Sequence, residues 1–170
     1  RRRCAQGRGK VLVHRHLVAL TVETYTARRA YQIATEYRKR GVPVVMGGYH
    51  PTFLPEEALE FADGVVQGDA EGAWERVLAD THQHGRPRGI YRAEQLHPLT
   101  GLVYNRSIYA GKRYGPMRMV QYGRGCKWNC DFCSIRAFYG TSLRQRPVGE
   151  VVAELEALHP RHVFLVDDNI

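Results

Sequence analysis

Short apolar runs alternate along the chain with longer segments in which apolar residues recur every three or four positions. The first run, 16–22, is rich in aliphatic and β-branched residues, which predicts a strand buried on both faces. Over 26–40 the apolar positions recur at i, i+3, i+4 and i+7 from Ala30, and Gly41 follows the last turn. This pattern predicts an amphipathic helix packed on the strand.

The same alternation continues downstream. Further strands are predicted at 43–46, 64–66, 117–121 and 163–166, and helices at 55–61, from Trp74 onward and after Pro147. Strands that alternate with helices at this spacing favour parallel βαβ units and a doubly wound α/β sheet. Ligands bind such sheets at the carboxyl ends of the strands. We therefore expect a site formed by 21–24, 47–52 and 68–72.

Residues 81–115 are richer in Gly, Pro, His and Arg and hold only short strand-like pieces at 90–91 and 102–103. The composition is typical of a connector, and we expect a domain boundary near 110. A second α/β unit follows, and its last strand delivers Asp167, Asp168 and Asn169 at its carboxyl end.

The amino-acid composition argues against a disordered chain and against a membrane-spanning one. The 170 residues are 44% hydrophobic and 25% charged, which argues against wholesale disorder. No apolar stretch has the length of a membrane span, and no signal-peptide pattern follows the basic start, so we expect a soluble, cytoplasmic protein. Because the sequence stops inside an apolar run, we expect a fragment.

The net charge of +8 is concentrated at the front, where residues 1–40 hold eleven Lys and Arg against two acids. Such a block could bind nucleic acid. No basic stripe interleaved with aromatic residues accompanies it, so a solvated helix face or a frayed end is the preferred interpretation. Nucleic acid is disfavoured as a partner.

Three of the four cysteines, Cys126, Cys130 and Cys133, fall within eight residues at the spacing C-x3-C-x2-C. Cysteines of a disulfide framework would be spread to join loops. Three thiolates can hold a [4Fe-4S] cluster and leave the fourth iron open to a substrate or cofactor. Zinc is the weaker alternative because it needs a fourth ligand and the next histidine, His159, lies 26 residues beyond Cys133.

The loop with this spacing, which has Phe132 before its last cysteine and follows a predicted strand, resembles the signature of the radical S-adenosylmethionine (SAM) superfamily. The resemblance implies that the three cysteines hold a [4Fe-4S] cluster, whose open iron chelates SAM. It also implies that Phe132 lies against the adenine, and that Asp167 and Asn169 bind SAM. Alternatively, the polar residues 167–169 cap the next helix.

The segments 47–52, 54–59, 62–66, 144–147 and 167–169 resemble the cobalamin-binding subgroup of that superfamily. The implied fold class is α/β, with the C-terminal part of a Rossmann-like cobalamin-binding domain over 1–100. A connector over 101–115 and the first βα units of a partial (βα)6 TIM-like barrel over 116–170 would follow. The first strands of the cofactor domain and the end of the barrel are expected to be missing.

Five residues are expected from the resemblance to bind cobalamin: Thr21, Gly47, Gly48, His50 and Gly68. Thr21 stands where the family often has a serine near the nucleotide tail, and the glycine pair would let the tail pass close to the backbone. In the alternative, Thr21 only pairs in a strand and the glycines only make a turn. The sequence departs from the family in lacking an Asp-x-His-x-x-Gly motif and in having Asp69 in place of the usual Glu, which leaves the lower axial ligand open.

The resemblance implies an enzyme, a cobalamin-dependent methyltransferase or a related catalyst that functionalises C–H bonds of a small-molecule substrate. Reduction of the cluster would cleave SAM to a 5′-deoxyadenosyl radical, with flavodoxin or ferredoxin as a one-electron donor. No catalytic acid or base is assigned, and the fragment alone is expected to be inactive. The alternatives are a radical SAM tRNA-modifying enzyme, supported only by the basic residues, and a non-enzymatic cobalamin-binding or redox module.

Overall fold

The computed structural model describes residues 17–159 and 162–169. The strands are β1 (Val18–Thr21), β2 (Val44–Gly47), β3 (Gly64–Gln67), β4 (Gly89–Arg92), β5 (Met117–Val120), β6 (Gly123–Gly125), β7 (Leu143–Gln145) and β8 (His162–Leu165). The helices are α1 (Ala27–Lys39), α2 (Tyr49–Phe53), α3 (Pro55–Phe61), α4 (Trp74–His84), α5 (Ser134–Tyr139) and α6 (Val148–Leu158), with 3-10 turns at Thr24–Thr26 and Arg106–Tyr109.

The first four strands form one parallel sheet in the order β1-β2-β3-β4. Strands β2 and β3 are the inner pair, and three of the four residues in each are buried. Parallel strands covered on both faces read as continuous apolar runs, which is why Val44, Val45 and Met46 are consecutive. The parallel α/β architecture predicted from the alternation is confirmed.

Two apolar clusters cover the two faces of this sheet. On one face α1 and α3 pack through small residues such as Ala30, Ala34 and Ala58 against Val44 and Met46. On the other face α4 packs on the sheet through a second buried set, consisting of Val45, Val66, Ala73, Val77 and Tyr91. Alternation of side chains along β2 therefore divides the core between the faces.

The expectation of a connector over 81–115 is wrong for the first part of that range. Residues 81–84 belong to α4, and the predicted strand-like piece at 90–91 lies in β4, which pairs with β3 as the fourth strand of the sheet. Residues 102–103 are in no strand. The pattern was ambiguous because β4 is a short edge strand in which only Tyr91 is buried.

The remaining strands form two small sheets. Strand β5 pairs in parallel with β8, and α6 packs on β5, as the periodicity predicted. Strands β6 and β7 pair antiparallel and enclose the cysteine loop and α5. This β6–β7 pair was not predicted because its strands have only three residues each. None of the described helices is both long enough and apolar enough to cross a membrane.

Candidate functional site

A cleft of about 640 Å³ opens at the carboxyl edge of the parallel sheet. Four of the five residues expected to bind cobalamin line it: Thr21, Gly47, Gly48 and Gly68. Arg124, Phe138 and Tyr139 also line it. The cleft is thus shared between the sheet and the part of the chain that carries the cysteines.

Gly48 turns the chain from β2 into α2 in a conformation that only glycine adopts readily. Its φ is 99°, and a Cβ atom there would lie 2.9 Å from the Val22 backbone oxygen and 3.1 Å from Thr21 Cγ2. A Cβ atom on Gly47 would meet only ordinary contacts, the nearest at 3.5 Å from the Val66 backbone oxygen. The two glycines therefore differ, because Gly48 is required by the turn whereas Gly47 keeps the floor of the cleft low.

Thr52 joins the two glycine turns at the cleft. Its hydroxyl donates to the Gly48 backbone oxygen at 2.7 Å and accepts from the Gly68 amide at 3.0 Å. The Gln67 side-chain amide donates to the Thr52 backbone oxygen at 2.8 Å. Sequence reasoning placed Thr52 in a motif but gave it no role. Its position one turn after Gly48 was the available signal, because a threonine hydroxyl commonly bonds the backbone four residues earlier.

His50 is not brought to the cleft. Only 6% of the residue is exposed, and its Nε2 lies 2.8 Å from the Tyr31 hydroxyl and 3.3 Å from a Glu57 carboxylate oxygen. Its Nδ1 faces the Thr24 hydroxyl at 3.4 Å. His50 thus joins α1, α2 and α3, and this structural role accounts for its burial without a cofactor.

The same network sets the acid–base properties of its members. Tyr31 donates to Glu57 at 2.8 Å, and this bond, followed by the one from His50, holds the pKa of Glu57 below its usual value. Burial, followed by the Glu57 hydrogen bond, raises the pKa of Tyr31. Tyr31 therefore stays protonated and serves as a donor.

The three cysteines are free thiols. Cys130 is exposed, whereas Cys126 and Cys133 are partly buried, and the Cys133 amide donates to the Cys130 backbone oxygen at 3.2 Å. Among the described residues, no three His, Cys, Asp or Glu side chains are gathered closely enough to hold a metal ion. As a donor set, three unpaired thiols suit an iron–sulfur cluster, and the loop would have to draw them together to bind one.

Phe132 stands out from the loop with 93% of its surface exposed. Nearby Trp128 is 59% exposed and carries the Lys127 ammonium over its ring at 5.3 Å. The adenine contact expected for Phe132 stays a prediction.

The end of β8 is tied to the segment that leads into the cysteine loop. One carboxylate oxygen of Asp167 accepts from the Tyr122 amide at 2.7 Å and from the Gly123 amide at 3.0 Å. Asp168 accepts from the Gly125 amide at 2.7 Å. The other oxygen of Asp167 is buried without a hydrogen-bond partner. Asp167 therefore retains one buried acceptor, which is the type of group that would receive an N–H or O–H of a ligand.

Two arginines and two acids form an ionic network where the cleft meets the β6–β7 pair. Arg144 donates to Asp69 at 2.5 Å, and Arg124 lies 3.5 Å from Asp69 and 2.9 Å from Glu71. Burial acts to lower the pKa of Arg124, but Glu71 and then Asp69 outweigh it and raise the pKa. Sequence reasoning missed this network because its members lie far apart in the chain.

Aromatic rings close the wall between α2 and α5. The Tyr49 and Phe138 ring centroids are 4.6 Å apart, and Phe53 meets Phe138 edge-on at 6.1 Å. The Tyr49 hydroxyl is buried without a partner. Burial, followed by the negative charge of Asp168, raises the pKa of Tyr49 to about 12, so the ring is neutral at physiological pH.

Comparison with known proteins agrees with a cofactor-binding cleft at the edge of the sheet. Residues 13–78 match the B12 binding domain family. The chain is 31% identical over 165 residues to the bacteriochlorophyllide d C-12(1)-methyltransferase of Chlorobaculum tepidum, which covers 91% of this chain and 36% of that protein. It is 40% identical over 135 residues to the C-8(2)-methyltransferase of the same organism, over 75% of this chain and 30% of that protein. The chain thus spans about a third of the length of these relatives.

A solved structure matches the fold. The radical S-adenosylmethionine methyltransferase TsrM from Kitasatospora setae superposes with a TM-score of 0.65 at 22% identity, over 90% of this chain and 37% of that protein. The predicted fold class is confirmed as a mixed α/β structure with a parallel sheet and a B12-binding domain. Residues 13–78 therefore match a B12 binding domain, and the chain as a whole resembles methyltransferases in sequence and TsrM in fold.

Proposed function

We propose that this chain carries the cofactor-binding region of a cobalamin-dependent radical SAM methyltransferase or a related enzyme that functionalises C–H bonds. The observation that supports this most directly is that the cleft at the end of the B12-binding sheet is also lined by Arg124 of β6 and by Phe138 and Tyr139 of α5, the elements that precede and follow the cysteine loop. A cofactor in the cleft and a second one in the neighbouring cysteine loop could act on a common substrate. In this proposal the cofactor domain occupies 1–100, the connector 101–115 and the radical SAM region 116–170.

Cobalamin would be held by Thr21, Gly47, Gly48 and Gly68. The absence of a side chain at Gly47 leaves room at the base of the cleft, and a side chain at residue 48 would collide with the Val22 backbone just after β1. Gly68 has φ 82° and faces open space, so the loop after β3 can follow a ligand closely. His50 is left out of this set because it lies within the Tyr31 and Glu57 network.

A [4Fe-4S] cluster would be held by Cys126, Cys130 and Cys133. When bound, such a cluster supplies an electron and one open iron for SAM. The protein residues would orient SAM, with Phe132 against its adenine and the unpaired oxygen of Asp167 accepting one of its donors. Asn169 would add a polar contact at the same strand end.

The substrate would be a small molecule, and a small one-electron carrier such as flavodoxin or ferredoxin would supply reducing equivalents. The methyltransferase names of the relatives favour methylation over ring closure or rearrangement. Free thiols persist in reducing compartments, so we place the protein in the cytoplasm.

The test is anaerobic reconstitution of the full-length gene product with iron, sulfide and hydroxocobalamin. We expect bound cobalamin by absorption and a dithionite-reduced [4Fe-4S] signal by EPR that changes when SAM is added. Replacing Cys126, Cys130 and Cys133 with alanine should remove the EPR signal and leave the cobalamin spectrum. A reconstituted wild type without cobalamin, or with a cluster that does not respond to SAM, contradicts the proposal.

A further inference from the structure

One carboxylate connects the cleft to both strands that flank the cysteine loop. Asp69, two residues beyond β3, accepts from Arg144 of β7 at 2.5 Å and lies 3.5 Å from Arg124 of β6. Tyr139, the last residue of α5, donates to the same carboxylate at 3.4 Å. The Asp69 side chain is only 9% exposed. It therefore contacts the strand before the cysteine loop, the helix after the loop and the strand that follows.

The two arginines are held in place by further contacts, so neither can turn easily to another partner. Arg124 donates from Nε to the Gln121 side-chain oxygen at 3.0 Å and from Nη1 to Glu71. Arg144 donates from Nη1 to the His97 backbone oxygen at 2.8 Å. The Arg144 guanidinium also lies over the Tyr139 ring at 5.6 Å. A network with this many fixed contacts has a defined geometry.

Charge balance makes Asp69 the member whose loss matters most. The side chains of Arg124 and Arg144 are 15% and 13% exposed, and they face two acids, Asp69 and Glu71. Glu71 pairs with Arg124, so Asp69 is the acid paired with Arg144. Without the Asp69 charge, Arg144 would be a largely buried cation without a carboxylate partner.

We propose that Asp69 is a positioning residue that fixes the β6–β7 pair, and with it the cysteine loop, against the cobalamin cleft. Gly68 and Asp69 both line the cleft. A ligand that orders the loop after β3 therefore also orders Asp69 and its arginines. Binding in the cleft and order in the cysteine loop are coupled through this residue, and the coupling is reciprocal. The proposed function enters only in naming cobalamin as the ligand.

The first test measures amide hydrogen exchange by mass spectrometry on the full-length gene product without cofactors. The variants are Asp69→Asn, Asp69→Glu and the matched control Asp63→Asn. Asp63 is also a buried carboxylate between two arginines, but at the opposite end of β3. We expect Asp69→Asn to speed exchange in 123–125 and 143–145 by roughly tenfold to a hundredfold while β1–β4 keep their protection.

Asp69→Glu should restore part of that protection, because it keeps the charge, and Asp63→Asn should leave the β6–β7 pair unchanged. Unchanged exchange in 123–125 and 143–145 in Asp69→Asn overturns the proposal. So does faster exchange spread evenly through the sheet, since that would show a general loss of stability. If Asp69→Asn does not fold, Arg144→Gln removes the arginine of the same ion pair, and its exchange in 123–125 and 143–145 tests the proposal instead.

The second test adds hydroxocobalamin to the same proteins. In the wild type we expect cobalamin to slow exchange in the β6–β7 pair by about tenfold, and in Asp69→Asn we expect no such slowing although cobalamin still binds. Equal slowing in both proteins overturns the coupling. Failure of the wild type to bind cobalamin would contradict the proposed function instead, and the cofactor-free experiment would still decide the role of Asp69.

Discussion

The two ends of β3 carry a matched pair of buried carboxylates with different partners. Asp63 precedes the strand and lies 3.6 Å from Arg38 and 3.7 Å from Arg86, while Asp69 follows the strand and pairs with Arg144 and Arg124. The two side chains are almost equally exposed, at 8% and 9%. Burial and charge therefore do not distinguish them.

Asp63 and Asp69 differ in where their arginine partners lie in the fold. Arg38 lies in the last turn of α1 and Arg86 follows α4, so Asp63 holds the sheet to its own helices. It also accepts from the Val44 amide at 2.9 Å. Arg144 lies 75 residues beyond Asp69 in a separate sheet. The amino end of β3 thus stabilises one unit, whereas the carboxyl end joins two units at the cleft. The glycine turns at the two edges of the sheet also differ. Gly41 at the amino edge has nothing within 4 Å of the position that a Cβ atom would take, whereas Gly48 at the carboxyl edge lies against the Val22 backbone.

The largest expected effect is at the Gly48 turn. Gly48→Val should abolish cobalamin binding, because the new side chain would collide with the Val22 backbone just after β1 and the backbone at residue 48 has a positive φ. The control is Gly41→Val at the amino edge of the sheet, where φ is 73° but nothing lies within 4 Å. That variant should cost about 1–2 kcal/mol of stability through backbone strain and leave binding intact. Titration with hydroxocobalamin measures the affinity, and chemical denaturation measures the free energy of unfolding. Equal cobalamin binding by the two variants would contradict the difference expected between the two edges of the sheet.

The next effect concerns Asp63. Asp63→Ala should lower the free energy of unfolding by about 1–3 kcal/mol, because it leaves the buried Val44 amide without its acceptor. Cobalamin affinity should stay within twofold of the wild type, since Asp63 lies at the edge away from the cleft. Urea denaturation and a binding titration check this, and a large loss of affinity would show that the two ends of β3 do not act separately.

A smaller effect is expected for the hydroxyl that joins the glycine turns. Thr52→Val should cost about 1–2 kcal/mol and weaken cobalamin binding, because the Gly68 amide loses its acceptor next to the cleft. Thr35→Val, which removes only a bond from a threonine hydroxyl to the Tyr31 backbone oxygen in α1, is the matched control. We expect it to leave the affinity unchanged in calorimetric titrations. Similar affinity losses in both variants would argue against a role for Thr52 at the cleft.

The smallest expected effect is at Tyr49. Tyr49→Phe should raise the free energy of unfolding by about 1 kcal/mol at neutral pH, since it removes a buried hydroxyl that has no partner. The pKa of Tyr49 is about 12 in the folded chain and near 10 in the unfolded chain, so the unfolded state loses its proton first as pH rises.

Wild-type stability should therefore fall between about pH 10 and pH 12, and Tyr49→Phe should fall less over that window. Thermal denaturation of both proteins at several pH values measures the difference. Parallel curves for the two proteins would show that the Tyr49 hydroxyl ionises as freely in the folded state as in the unfolded one.

Much of the parallel sheet could be predicted from the sequence. The apolar runs at 43–46 and 64–66 located β2 and β3 because central parallel strands are buried on both faces and leave a continuous signal. The helix at 55–61 was predicted with the bounds that α3 has. The β6–β7 pair and β4 gave weak signals because they are short strands and expose most of their residues or alternate with glycine.

The candidate site was predictable where its chemistry is local. The spacing of Cys126, Cys130 and Cys133 and the glycine pair at 47–48 are contiguous motifs, and three of the strand ends expected at the site do line the cleft. His50 is not among the residues that line the cleft, and no local pattern revealed Tyr31 and Glu57 as its partners, because a residue on a short helix can face either way.

The sequence by itself determined the order of the buried strands and longer helices, the location of the glycine turns and the presence of three closely spaced thiols. Each of these depends on residues within one or two turns of chain, where periodicity and backbone conformation decide the outcome. Only the tertiary structure decided that Asp69 meets Arg124 and Arg144, and that residues of β6 and α5 line part of the cleft. Such contacts depend on packing between elements that are distant in sequence, and the amino-acid sequence carries no periodic signal for them.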